Sequence, residues 1–158
     1  MSKSVIGIDP GMTGALCFYS AIEKITYEMP TYEVIKNGGK RKKINTQGVL
    51  EILRFCKPDH VWLEQVSAQP GNGAASAFTY GFGAGVLEAC VAACGIPFTY
   101  VLPQVWKKEL NCPKDKDAAR VRASQLIPEL SHCWSLKRQD GVAEAALIAL
   151  YGFRKMGY

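Results

Sequence analysis

Asp9, Glu64, Asp140 and Glu144 are the residues of this 158-residue chain whose types and settings could do chemistry. Asp9 closes the apolar run Val5-Ile6-Gly7-Ile8, and Glu64 closes Val61-Trp62-Leu63. A carboxylate at the end of an apolar strand is costly unless it is paired or bound to a cation. Asp140 and Glu144 stand four residues apart in a segment that reads as helix, about 40° apart around its axis. Leu147, Ile148 and Tyr151 continue that face, so the two acids head a stripe directed at the core. Singly, each acid has a plainer reading: a turn cap for Asp9, an arginine pair for Glu64, a favourable charge at a helix N-terminus for Asp140. Jointly, three elements that each deliver a carboxylate to the edge of an apolar face point to an all-oxygen site for Mg²⁺ or Mn²⁺. Two such ions ~4 Å apart are the common arrangement for in-line displacement at phosphorus.

The elements that must position these acids can be read from periodicity and turn signals. Val5 to Asp9, Ala15 to Ser20 and Ile25 to Met29 read as an antiparallel meander. Asn45 or Thr46 can cap a helix carrying Val49, Leu50, Ile52, Leu53 and Phe55, and Lys57-Pro58 ends it. His60 to Glu64 is a fourth strand, followed by the loop Gln69-Pro70-Gly71-Asn72-Gly73. Ala74 to Cys94 reads as a long helix of small residues with Gly95 past its end. Phe98 to Leu102 is a fifth strand, Pro103 starts a short helix, and Asp115 or Asp117 starts another that runs to Ile127. Gln139 to Phe153 is the final helix. This order predicts an α/β fold, with a mixed five-stranded sheet flanked by helices in a single domain over residues 1–158.

Charge and cysteine usage narrow the setting. The net charge of +5 comes from Lys36, Lys40, Arg41, Lys42 and Lys43; without that stretch basic and acidic residues balance at 14 each. So local a basic loop suggests a polyanion partner, against the plainer reading of a solvated hairpin tip. The six cysteines form no CxxC pair, and with only His60 and His132 beside them a zinc site of ordinary spacing is not expected. They read as reduced thiols, and the N-terminus lacks a secretory pattern, so a cytoplasmic protein is expected. No unbroken apolar run suggests a membrane span, and no motif suggests an organic cofactor: Gly81-Phe82-Gly83-Ala84-Gly85 lacks dinucleotide-binding spacing and reads as close helix packing, a candidate dimer seam.

Ile6-Gly7-Ile8-Asp9-Pro10-Gly11 with Thr13-Gly14, then Glu64-Gln65-Val66, then Asp140-Gly141-Val142-Ala143-Glu144-Ala145, resembles the RuvC family of Holliday junction resolvases. The last motif is most similar to the phage-type and plastid-type branches. The resemblance runs from Val5 to about Gly152. It implies a ribonuclease H-like fold, a homodimer, and Mg²⁺-dependent cutting of four-way DNA junctions by paired symmetric nicks, with two ions per site and Mn²⁺ able to substitute. A phage-encoded protein would act in the host cytoplasm. By position, Asp9, Glu64, Asp140 and Glu144 match the family's catalytic, metal-binding acids. The bacterial branch spaces its last two such positions by three residues; here the spacing is four. That branch also often carries a large aromatic shortly after Glu-Gln-Val, whereas here none comes before Phe78. Junction contact is therefore expected from Gly71 and Asn72 in the loop or from Phe78, with Tyr80 and Phe82 as further candidates. DNA contacts are expected from Lys40, Arg41, Lys42 and Lys43, and from Lys107, Lys114 and Lys116; positions 116, 120 and 123 share a helix face.

Other readings share parts of this pattern. An actin-like ATPase has a similar Asp-x-Gly-x-Thr turn but needs two such domains. A non-catalytic binding module of the same fold would gain nothing from acids beside a polyanion. A nuclease of branched DNA or of RNA–DNA hybrids would use the same metal cluster, and the sequence leaves that alternative open.

Overall fold

The computed structural model describes residues 3–68 and 70–158. Its centre is a five-stranded sheet in the order β3-β2-β1-β6-β7, with β1 Ser4–Asp9, β2 Ala15–Ser20, β3 Lys24–Glu28, β6 His60–Glu64 and β7 Phe98–Val101. The meander β1-β2-β3 is antiparallel, and β6 and β7 join it in parallel, β6 directly beside β1. The mixed sheet and its flanking helices are those expected from the element order.

Strand alternation decides which way each acid points. In β1, Ile6 and Ile8 enter one core with Leu16, Val61, Leu63, Val49 and Leu53 of α1 (Thr46–Cys56) and Leu87 and Val91 of α2 (Ala74–Ala93). Val5 enters the opposite core with Val101, Trp106 of α3 (Pro103–Glu109), Ala123 of α4 (Lys116–Leu126) and Leu147 of α5 (Asp140–Lys155). Gly7 lies on that second face too: a Cβ there would stand 2.3 Å from the Ala149 nitrogen and 2.5 Å from the Ala145 oxygen, so α5 rests on β1 only because residue 7 is glycine. By the same parity Asp9 faces α5. In β6, Val61 and Leu63 take the α1–α2 side, while Trp62 packs edge-on against Tyr151 of α5 at 5.4 Å. Glu64, two residues on, therefore faces α5 as well. The helix ends follow local chemistry: Asn45 accepts from the Gly48 amide at 3.2 Å to cap α1, and Asp115 accepts from the Ala118 amide at 2.8 Å to cap α4.

Two sequence expectations need revision. The basic stretch is not a loop but the exposed hairpin of the plainer reading: β4 (Thr31–Lys36) and β5 (Gly39–Ile44) pair antiparallel as a separate two-stranded ribbon. Asn37 and Gly38 turn it with φ of 51° and 74°, the left-handed pair that a tight two-residue hairpin requires. Consecutive cations hid the strand, since neither face of the ribbon's tip needs to be apolar. After α4 the chain forms a 3₁₀ helix over Pro128–Trp134, which holds His132 and buries Leu130 and Trp134. Finally, α2 is long and apolar enough to cross a membrane by length and composition, although Ser76, Thr79 and Glu88 interrupt its sequence. Gly83, Ala84, Leu87, Cys90 and Val91 are its buried residues.

Candidate active site

Asp9 and Glu64 end adjacent parallel strands, and both are buried, with 9% and 8% of their surface exposed. Position 65 continues the sheet through its amide to the Val101 carbonyl, which fixes the strand end that carries Glu64. From the facing helix α5 comes Glu144. These three carboxylates act on one another: Glu144 and Glu64 both push Asp9 upward, and Glu144 pushes Glu64 upward. For Asp9 the larger cause is burial itself, and together they raise it to about 7. The Gly11 amide donates to its Oδ1, but at a long 3.5 Å. Glu64 is likewise raised, mainly by burial, but it accepts a 2.7 Å bond from the Trp106 indole that opposes the shift.

Each remaining acid is turned to a basic partner. Glu144 Oε1 lies 3.2 Å from Lys107 Nζ, in a largely shielded pair. Asp140 Oδ1 lies 3.0 Å from Arg120 Nε, and Arg120 also binds Asp117. Among the described residues, no three His, Cys, Asp or Glu side chains stand ready to hold a metal ion. The expected four-acid cluster is therefore not preassembled. Like charges repel in a site this dry, and Trp106, Lys107 and Arg120 each draw one acid toward themselves. Asp9 has no such partner among the described residues; Lys116 lowers it only through space. A buried carboxylate without a counter-ion, with two more carboxylates acting on it, is an electrostatic setting that favours a hard divalent cation, which Glu64 and Glu144 would have to turn from Trp106 and Lys107 to share.

The other expected residues lie around this centre. Lys107 and Lys114 line a groove of about 600 Å³ together with Gln104, Lys108 and Asn111, and Lys107 links it to Glu144. Lys116 is close enough to act on both Asp9 and Glu64. The shared face of 116, 120 and 123 is not a basic stripe, because Ala123 is fully buried and Arg120 is turned inward. Lys40, Arg41, Lys42 and Lys43 project on the β4–β5 ribbon, where Lys40 pairs with Glu33 at 3.2 Å. Gly71 and Asn72 are exposed, and Gly71 has φ of 90°; Gln69, at the start of their loop, lies outside the described residues. Phe78 is 74% exposed and stacks on Phe82, itself 60% exposed, at 6.2 Å.

Two side chains reach the acids in ways the sequence did not signal. Trp106 is fully buried, and a buried indole N–H seeks an acceptor, which here is Glu64. Tyr80, expected only as a junction contact, lies near the acids: burial does most to raise its hydroxyl, and Asp9, Glu64 and Glu144 raise it further. One turn further along α2, a Cβ at Gly83 would lie 3.4 Å from the Met12 methyl, which sets this part of the helix over the β1–β2 turn.

No protein-family model matches the chain, and no curated protein matches it by sequence. Solved structures do. The RuvC of T. thermophilus in complex with a Holliday junction substrate aligns at a TM-score of 0.66 and 17% identity, over 98% of this chain and 96% of that one. A second Thermus thermophilus RuvC structure gives 0.59 and 18% over the same shares. The yeast mitochondrial Holliday junction resolvase Ydc2 gives 0.55 and 16%, over 98% of this chain and 79% of that one. The strand order, the parallel placement of β6 beside β1 and the end-to-end alignment agree: the chain has the ribonuclease H-like fold of the RuvC-type resolvases.

Proposed function

We propose that this protein is a metal-dependent endonuclease that resolves four-way DNA junctions by paired symmetric nicks. The observation that carries the reading is Asp9, a buried carboxylate raised to about 7 that faces two further acids and has no basic partner of its own among the described residues. Glu64 and Glu144 complete the oxygen set that would hold the cation with it. Bound Mg²⁺ would supply charge neutralisation at the scissile phosphate and lower the barrier to attack by water. The chain's own residues do the rest. Trp106 holds one oxygen of Glu64 in a fixed direction. Lys107 sits between Glu144 and the groove, where its ammonium can turn from the carboxylate to an incoming phosphate. Burial of the strand ends keeps bulk water from competing for the carboxylates.

The surroundings favour a nucleic acid over a small phosphate ester. The basic groove meets the acids through Lys107, and the cationic ribbon forms a sheet of its own. Sequence-independent contacts of this kind hold a phosphate backbone. Junction preference is carried over from the structural relatives, whose names state it. Two coordinated cuts need two sites, so the protein is proposed to act as a homodimer. The exposed face of α2 suits that contact, because Cβ atoms at Gly81 and Gly85 would meet nothing within 4 Å and Phe78 and Phe82 lie open beside them.

The test is a substrate panel. With Mg²⁺, a four-way junction should be cut at least tenfold faster than linear duplex, flap, replication fork or RNA–DNA hybrid of the same arm sequences. Faster cutting of the hybrid would replace the junction reading with the hybrid-nuclease one. Tight binding of all substrates without any cutting would make the protein a binding module.

A further inference from the structure

The two acids of the last helix do different jobs in this structure. A helix turn places residue 141 three positions before Glu144, on the side nearest Asp9. That residue is glycine, and it must be. A Cβ there would stand 2.3 Å from the Thr13 oxygen, 2.7 Å from Gly14 Cα and 3.1 Å from Asp9 Oδ2. The first turn of α5 is thus pressed against the β1–β2 turn, with no room for a side chain between it and Asp9. Asp140 lies about 100° around the helix from that contact. Its Oδ1 is buried and sits 3.0 Å from Arg120 Nε, an ion pair without the alignment of a hydrogen bond. The same guanidinium pairs with Asp117 and reaches the Trp134 and Ser135 carbonyls, each at 3.4 Å. It therefore ties α4, the end of the 3₁₀ segment and the start of α5 together.

We infer that Asp140 is a positioning residue and not a cation ligand, so that the cation-holding set of the proposed site is Asp9, Glu64 and Glu144. The inference rests on the cation reading given above. Through Arg120, Asp140 fixes the first turn of α5; that turn seats Gly141 against Asp9 and carries Glu144 one turn further on. Of the two acids of the last helix, Glu144 is among the groups that act most strongly on Asp9.

The test is Mn²⁺ titration by calorimetry into the full-length wild type, Asp140→Asn, Glu144→Gln, and the neutral pair Arg120→Gln with Asp140→Asn. The double variant leaves neither partner charged, which guards against misfolding of the single one. Asp140→Asn and the neutral pair should keep the wild-type Kd within about twofold, whereas Glu144→Gln should weaken it about tenfold or more. In junction cleavage, Asp140→Asn should keep the same half-saturating Mn²⁺ while kcat falls about tenfold, as expected for a slightly misplaced ligand set. A Kd or half-saturating Mn²⁺ displaced as far by Asp140→Asn as by Glu144→Gln would overturn the assignment, and so would an unchanged kcat. A wild type that takes up no Mn²⁺ would refute the cation reading itself, a result distinct from either.

Discussion

Replacing Asp9 by Asn should stabilise the metal-free protein above neutral pH. The folded carboxyl sits at about 7 against an ordinary value of 3.8. Between those two pH values the folded state holds a proton that the unfolded state has lost. Stability therefore falls as pH rises through this window, and the loss is complete above pH 7. Three pH units at about 1.36 kcal/mol each amount to roughly 4 kcal/mol. Asn matches Asp in shape and can still accept from the Gly11 amide, but its buried NH₂ group costs about 1 kcal/mol. The net gain is then about 3 kcal/mol, or roughly 6–12 °C in Tm for a chain of this size. Calorimetric melts of wild type and Asp9→Asn in EDTA, from pH 4 to pH 8.5, read the effect. The two Tm values should nearly coincide at pH 4 and diverge up to pH 7. Excess Mg²⁺ at pH 8 should raise the wild type and narrow the gap, because cation binding stabilises the charged carboxylates. An Asp9→Asn protein that melts with or below the wild type at pH 8 without metal would refute the reasoning from burial and mutual repulsion.

Three further perturbations address the parts around the acids. Trp106→Phe removes the 2.7 Å bond to Glu64, which should cost about 1.5–3 kcal/mol and raise the Glu64 carboxyl further; the acidic limb of the pH–rate profile should then move to higher pH. Neutralising Lys40, Arg41, Lys42 and Lys43 together should weaken junction binding and reduce its salt slope, by about 0.9 for each phosphate that the ribbon neutralises; an unaltered slope in filter binding would place the ribbon away from DNA. Gly85→Leu should leave the monomer fold intact, since a Cβ there meets nothing within 4 Å, and shift the protein to monomer in sedimentation; an unchanged dimer would move the seam off α2.

What the sequence made legible was whatever depends on local pattern. Alternation in β1 and β6 was enough to place Asp9 and Glu64 at strand ends, and parity within the strands sends both toward the same helix. Residue type narrowed each cap to two candidates, Asn45 or Thr46 and Asp115 or Asp117, of which the structure uses Asn45 and Asp115. Long-range partners carried no such signal. Lys107 is 37 residues from Glu144, and nothing near Trp106 indicates that its indole will meet Glu64. Arg120 looked like part of a basic face by helix periodicity, yet it turns inward because Asp140 and two carbonyls lie there. The β4–β5 ribbon was hidden for the opposite reason: a strand exposed on both sides has no apolar alternation to read, and only Asn37-Gly38 marks its turn. Phe78 and Phe82 are uncovered, as a junction contact would need, but helix periodicity in so apolar a segment as α2 did not by itself mark them as exposed.

The central claim is that the acids of β1, β6 and α5 cut DNA junctions with a divalent cation. The most direct measurement is nick mapping on a four-way junction labelled on each strand in turn, with wild type and Asp9→Asn, in Mg²⁺ and in EDTA. Two nicks placed symmetrically on opposing strands are expected, with 5′-phosphate and 3′-hydroxyl ends. These should vanish in EDTA and slow roughly a thousandfold or more in Asp9→Asn, since several kcal/mol of transition-state stabilisation would be lost. Nicking that persists in EDTA, or that Asp9→Asn performs at the wild-type rate, would contradict the claim.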